Sequence, residues 1–202
     1  MAVATLDTLP TGLFIGGEWI SRTSAGEMAH VNPSTGAVQA RFPIAGRDEV
    51  DRAVAAAHDA LRLFRQWSPV QRRELLLRIA AGFRSMADEF ELIAARECGM
   101  VKPVASRMGE SAAVWFDYYA GWPDKLVGDV LPDRSSFDYV RLEPYGVVAI
   151  ILTWNGPIGS IGMKVAAALA AGCTIVLKAP ELAPFGTTLF GRLCAEAGVP
   201  PG

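Results

Sequence analysis

From Asp48 onward the apolar positions recur in alternating steps of four and three: Val50, Val54, Ala57, Leu61 and Phe64. That spacing predicts an amphipathic helix that packs through one stripe. Ser68-Pro69-Val70-Gln71 opens a second helix, with Ser68 as cap, Pro69 in the first turn and Gln71 completing a capping box. Its stripe runs through Leu76, Ile79 and Phe83 and breaks near 85–88. Another helix passes through Phe90 and Ile93 to Gly99, and a third follows Pro103 with Met108, Ala112, Trp115 and Tyr119 along one side. Residues 48–121 are therefore mostly helical. Ahead of them, 12–20 carries Gly16-Gly17 between short apolar runs and predicts a β-hairpin. Asn32-Pro33-Ser34-Thr35-Gly36 has the chemistry of a turn. Behind them, 137–142 alternates as an exposed strand does, with Leu131-Pro132-Asp133 in the connection before it.

The pattern then changes. Residues 145–152 are almost continuously apolar and rich in Val and Ile, as in a strand buried on both faces. A helix is predicted from Pro157, with Ile158, Ile161, Val165 and Leu169 on one side and Gly172 as its stop. Residues 174–177 read as a second buried strand. A further helix runs from Pro184 with Phe185, Leu189 and Leu193 on one face and ends at Gly198. Strand, helix, strand, helix at this spacing is a parallel βαβα unit with a right-handed crossover. The chain divides into a hairpin and helical part over 1–128, a strand arm over 129–143 and the βαβα part over 144–202.

Composition narrows the function. The chain of 202 residues is 51% hydrophobic and 20% charged, which predicts a packed core. With 19 basic and 21 acidic residues and no basic stripe, nucleic acid is not an expected partner. The opening MAVATLDTLP has neither the basic region nor the apolar core of a secretory signal. The longest uncharged apolar run, 165–177, is shorter than the roughly 18 residues of a spanning helix, so no membrane is expected. Cys98, Cys173 and Cys194 form an odd, scattered set that points to reduced thiols and a cytoplasmic location. No metal-ligand spacing occurs, and His30, in a loop, and His58, on a polar helix face, carry no catalytic signature.

In open α/β sheets, ligands bind beyond the carboxyl ends of the strands. Asn155 follows the first strand, and Lys178 and Glu181 lie at and past the end of the second, so parallel strands gather all three on one edge. Each also has a plain reading: Asn155 holds a turn, Lys178 guards a strand end, and Glu181 caps the next helix. Gly156, Gly159 and Gly162 form G-x-x-G-x-x-G rather than the dinucleotide fingerprint G-x-G-x-x-G, and their plain reading is that they let a helix approach the sheet.

The stretches EPYGVVAIILTWNGP, MKVAAALAAGCTIVLKAPELAP and EAGVPPG, with FIGGEW, VNPSTG and SPVQRRELL upstream, closely resemble the aldehyde dehydrogenase superfamily. The resemblance spans 12–202 and implies the fold class: α/β, an amino-terminal helical region followed by a Rossmann-like βαβα unit, without the catalytic domain. It implies that the side-chain amide of Asn155 donates to the oxyanion formed when a thiol attacks an aldehyde. It places Leu152, Thr153 and Trp154 along the cofactor, with Thr153 standing where many relatives have proline. It gives Lys178 and Glu181 to the adenosine ribose of NAD, Glu181 disfavouring the 2′-phosphate of NADP although some relatives use both. Lys164 corresponds to a lysine lining the site, and the glycine turn to the floor of that site. The arm at 137–142 resembles a segment of oligomerisation, so a homo-oligomer or a separate catalytic half is the expected partner.

The reaction so implied needs a cysteine thiolate as nucleophile and a glutamate as general base; hydride passes to the nicotinamide and water releases the acid. In the family both residues lie downstream of the region present. Cys98 closes a helix, Cys173 precedes a strand and Cys194 lies within an amphipathic helix, so each is expected to be a packing residue. The expectation is an amino-terminal portion of an aldehyde-oxidising enzyme that is inactive by itself. The alternatives are a silent nucleotide-binding module and a structural partner of a full-length relative. Trp115 and Phe116 are left open between substrate tunnel and core, and the aldehyde is not specified.

Overall fold

A computed structural model describes residues 9–132 and 134–202; the expectations for the first eight residues and for Asp133 lie outside the described residues. Two antiparallel hairpins come first. β1 (Leu13–Ile15) pairs with β2 (Glu18–Ile20) across Gly16 and Gly17, whose φ values of 61° and 84° supply the left-handed turn expected there. β3 (Glu27–Val31) pairs with β4 (Val38–Pro43) around the Asn32–Gly36 turn, closed by Ser34 N–H donating to Asn32 Oδ1 at 2.8 Å. These flanking strands were not anticipated, and they correct the placement of His30: it lies in β3, not a loop, and is buried.

Helices then form the bulk of the core: α1 (Arg47–Phe64), α2 (Pro69–Ser85), α3 (Ala87–Cys98), the single turn α4 (Lys102–Ala105) and α5 (Met108–Ala120). The capping box forms as expected, Ser68 Oγ accepting from Gln71 N–H at 3.3 Å and Gln71 Oε1 accepting from Ser68 N–H at 2.8 Å. Phe83 of α2 is the hub, its ring centroid 4.8 Å from Phe90, 5.6 Å from Phe116 and 5.7 Å from Phe190.

Two predicted stripes need correction. In α1, Ala57, Leu61 and Phe64 are buried but Val50 and Val54 are exposed, because the packed side of the first turns runs through Glu49, Ala53 and Ala56, one residue round the helix, with Glu49 accepting from Ser24. In α5 the buried positions are Gly109, Ala112, Ala113, Phe116 and Ala120, so the stripe sits one residue beyond Trp115. Phe116 is core, while Trp115 is partly exposed and stacks on Tyr119 at 6.3 Å. The exposed arm is also shorter than expected: within 137–142, β6 (Asp138–Tyr139) pairs with β5 (Val130–Leu131), and Val140 N–H donating to Asp129 O at 2.7 Å carries the pairing one residue further.

The carboxyl-terminal part is the βαβα unit. β7 (Val147–Ile151) runs parallel to β8 (Thr174–Lys178), linked by α6 (Pro157–Ala171), and α7 (Phe185–Ala197) follows. Ile158, Ile161, Val165 and Leu169 of α6, and Phe185, Leu189 and Leu193 of α7, are all buried, as their spacing required. Gly172 and Gly198 end the two helices in the left-handed conformation. The reading of β7 as buried on both faces is not upheld. Ile150 and Leu152 turn into the core, whereas Ile151 is 68% exposed and Tyr145 wholly so. On that second face α1 covers only the start of the pair, where Thr174 Oγ1 donates to Ala57 O at 2.8 Å, and the alternate positions further along, Ala149 and Ile151, are exposed. Gly162 likewise has a different neighbour from the one expected. A Cβ there would lie 2.6 Å from Ala112 O and 2.7 Å from Ala112 Cα, so it lets α6 touch the α5 backbone rather than the sheet.

Candidate functional site

The register of the parallel pair sets Ile151 directly opposite Lys178, so both strands finish at the same level. Leu152 N–H donates to Lys178 O at 3.2 Å and carries the pairing one residue further. Its side chain is buried, leaving only its main chain for any contact beyond the edge. Thr153, Trp154 and Asn155 follow, all exposed. Among the described residues the Asn155 amide has no hydrogen-bond partner, so both its N–H donors are available. The loop is anchored from behind, where the Cys98 thiol donates to Trp154 O at 3.3 Å.

Lys164, from the second turn of α6, folds back to donate to Ile151 O at 3.2 Å, which brings it to the same edge. Lys178 and Glu181 form an ion pair across the loop that leaves β8. The Lys178 ammonium holds the Glu181 carboxyl below the usual carboxylate range, so it is an acceptor-only carboxylate at neutral pH. The strand ends thus bring Lys164, Lys178 and Glu181 to one edge with the Asn155 loop, while no hydrogen bond joins Asn155 to the other three among the described residues.

Two buried polar residues behind this edge escaped the sequence reading. Glu97, 4% exposed at the end of α3, accepts from Phe185 N–H at 2.7 Å and Gly186 N–H at 3.1 Å, and so caps α7. The signal was its place on the α3 stripe, four residues after Ile93 and three after Ala94. His30 Nε2 donates to Leu182 O at 3.1 Å, and Gln39 Nε2 donates to His30 Nδ1 at 3.0 Å. The signal there was the alternation of the β3 and β4 sequences.

Burial pushes Glu97 up to about 8, against the pull of the Gly186 and Phe185 amides. A carboxyl raised in the folded state contributes stability that is complete below its ordinary value of 4.5 and is lost as pH rises through about 8. Burial lowers the His30 pKa, with the Leu182 carbonyl opposing, so its contribution is present above 6.5 and lost as pH falls. The urea midpoint of the chain is therefore expected to fall between pH 5 and pH 8 by an amount worth on the order of several kcal/mol. Glu97→Gln, which cannot titrate, should remove that slope; parallel profiles for the two proteins would contradict the assignment.

The cysteines are all free. Burial pushes Cys98 up to about 12, with the Glu97 carboxyl adding to the shift, and burial alone pushes Cys194 to about 12. Cys173 is 2% exposed. Among the described residues no group of three or more His, Cys, Asp or Glu could hold a metal ion, and no helix is long and apolar enough to cross a membrane.

A parallel βαβα unit with polar groups gathered past its strand ends is the architecture of α/β proteins that receive small ligands at that edge. The sequence makes the assignment specific, because the aldehyde dehydrogenase family matches over residues 19–202. The chain belongs to that family. It is 39% identical over 203 residues to betaine aldehyde dehydrogenase 1 of Oryza sativa subsp. japonica, a match covering 95% of this chain and 40% of the rice protein. Its fold superposes on PnpE in complex with nicotinamide adenine dinucleotide with a TM-score of 0.92 at 31% identity, over 96% of this chain and 40% of PnpE. An NADP-dependent enzyme of E. coli gives a TM-score of 0.93 at 28% identity, over 99% of this chain and 42% of that one. The chain thus spans about two fifths of the length of these relatives.

Proposed function

We propose that this chain supplies the cofactor-binding part of an NAD-dependent oxidation of an aldehyde to a carboxylic acid. The observation that carries the proposal is the Lys178–Glu181 pair beyond β8, on the same edge as the free amide of Asn155. The donor set fits a dinucleotide. A carboxylate that stays ionised accepts from ribose hydroxyls, and an ammonium that spends one donor on that carboxylate keeps two for the same sugar. Glu181 also repels a 2′-phosphate, which favours NAD while leaving NADP a weaker ligand. Leu152, Thr153 and Trp154 offer main-chain contacts along the cofactor, and Lys164 lines the site. When bound, NAD supplies the hydride acceptor.

Asn155 donates to the oxyanion of the substrate; losing one such donor typically costs about 2.7–4 kcal/mol of transition-state stabilisation. The thiol nucleophile and the general-base glutamate have no counterpart among Cys98, Cys173, Cys194 or the groups at this edge, so the 202 residues alone are silent. The exposed Phe137, Tyr139 and Leu142 support a partner role for the 129–143 arm, in a homo-oligomer or with a catalytic half. A silent nucleotide-binding module or structural partner of a full-length relative is the second reading, favoured by the same arm. The free cysteines support a cytoplasmic setting.

Calorimetric titration of NAD and NADP into the chain tests the cofactor assignment. NAD should bind more tightly, and Glu181→Ser should narrow the difference by about tenfold, the size of a lost charge-assisted contact. Equal affinities before and after the substitution would remove Glu181 from the site.

A further inference from the structure

The loop that carries Glu181 is not held by its own residues alone. Among the described residues, the one backbone bond internal to the stretch between the end of β8 and the start of α7 is Ala183 N–H donating to Pro180 O at 3.3 Å. The middle of the loop is instead held by a chain of side chains from the β3–β4 hairpin, about 150 residues away in sequence. Asn32 Nδ2 donates to Gln39 Oε1 at 3.2 Å, and Gln39 Nε2 donates both to His30 Nδ1 at 3.0 Å and to Arg96 O at 2.8 Å. His30 Nε2 then donates to Leu182 O, the carbonyl directly after Glu181.

Each member of this chain has one usable orientation. The Gln39 amide must turn its nitrogen toward two acceptors, Arg96 O and His30, and its oxygen toward the Asn32 donor. That leaves His30 Nδ1 as the acceptor and Nε2 as the protonated nitrogen, which is the donor the Leu182 carbonyl needs. The imidazole is itself clamped, with the Phe185 ring edge-on at 5.3 Å and Phe42 at 6.2 Å. A network of this kind, with His30 and Asn32 buried and Gln39 half-buried and each paired, fixes one geometry rather than several. Its output is the position of the main chain at residue 182, and hence of the exposed carboxylate next to it.

We propose that His30 is a positioning residue for cofactor choice. Through the Asn32–Gln39–His30–Leu182 chain it fixes the 180–184 loop and aims Glu181, so that discrimination between NAD and NADP is set partly from the amino-terminal hairpin. The inference rests on the proposed role of Glu181 at the adenosine ribose. His30 touches no ligand and acts only through the loop.

The test uses His30→Phe, which keeps the aromatic packing but loses both hydrogen bonds, and His30→Gln, which can accept from Gln39 and donate to Leu182 O. Hydrogen exchange of the free chain reads the loop without any nucleotide. In His30→Phe the Ala183 amide should exchange about tenfold faster, with Ile161 and Leu189 in the helices unchanged, and His30→Gln should restore it. Titration with NAD and NADP reads the consequence. His30→Phe should shrink the preference for NAD by about tenfold, His30→Gln should restore it, and neither should change it once Glu181 is serine. Unchanged Ala183 exchange in a folded His30→Phe protein would overturn the inference, as would an effect on cofactor preference that persists without Glu181. If the unsubstituted chain binds neither nucleotide, the role given to Glu181 fails, and the exchange data still decide whether His30 holds the loop.

Discussion

Incubated with NAD and a panel of aliphatic and aromatic aldehydes, the purified 202-residue chain should produce no NADH. The chemistry requires a thiolate within reach of the carbonyl, and a useful nucleophile keeps an appreciable thiolate fraction at neutral pH. With thiols pushed to about 12, Cys98 and Cys194 are ionised to only about one part in 10^5 at pH 7. Cys98 is also committed to the Trp154 carbonyl, and Cys173 is sealed beside β8. No histidine or carboxylate at the site edge is bonded to any of the three among the described residues. Co-expression with the remainder of a family member, carrying its own cysteine and glutamate, should restore turnover, and Asn155→Ala should then lower it by about 10^2 to 10^3. Turnover by the 202 residues alone that disappears when Cys98, Cys173 or Cys194 is replaced would show that a nucleophile lies within them.

Purified alone, the same chain should self-associate. β7 and β8 pair with each other and with no third strand among the described residues, so each presents a free row of backbone donors and acceptors. The adjoining surface is apolar: Ile151, Trp154, Leu182 and Tyr145 are all at least 60% exposed. The arm adds Phe137 and Tyr139 on a two-residue ladder too short to cover them. Each ~100 Å² of such surface withdrawn from water contributes about 2.5 kcal/mol, so a few hundred Å² rivals the ~5–15 kcal/mol stability of a whole domain. Light scattering and analytical ultracentrifugation should report dimers or larger species, reduced by co-expression with a catalytic half. A monodisperse monomer with a cooperative melt above about 45 °C, near the lower end for mesophile domains, would show that the two-stranded sheet is self-sufficient.

The sequence was most informative where a segment's own pattern determined its environment. α6 and α7 are covered along their whole apolar faces, so Ile158, Ile161, Val165, Leu169, Phe185, Leu189 and Leu193 are all buried as their spacing demanded. The Ser68–Gln71 cap and the Gly16-Gly17 turn are local chemistry and form as written. Where burial depends on a distant neighbour, periodicity misleads. Val50 and Val54 lie one residue off the side of α1 that packs through Glu49, Ala53 and Ala56, and Phe116 rather than Trp115 is buried because Phe83 of α2 and Phe190 of α7 receive its ring. An apolar run such as 145–152 states what a strand could bury and not what is there to bury it.

The site divides in the same way. Strand polarity alone brought Asn155, Lys178 and Glu181 to one edge, and the quoted motifs suggested their chemistry. The supports behind that edge, Glu97 and the His30–Gln39 chain, join residues 88 and 152 positions apart to the loop and leave no local signature.

The central claim is that the carboxyl edge of β7 and β8 receives the adenosine end of NAD. Its most direct test is a residue-by-residue map of backbone amide shifts as NAD is added to the isotopically labelled chain. The account predicts saturable shifts at Trp154, Asn155, Lys178, Glu181 and Leu182, reached at higher NAD concentration in Glu181→Ser and at higher concentration with NADP than with NAD. Saturable shifts confined to the exposed α5 face around Trp115 and Tyr118, or none at the strand ends at any NAD concentration, would contradict it.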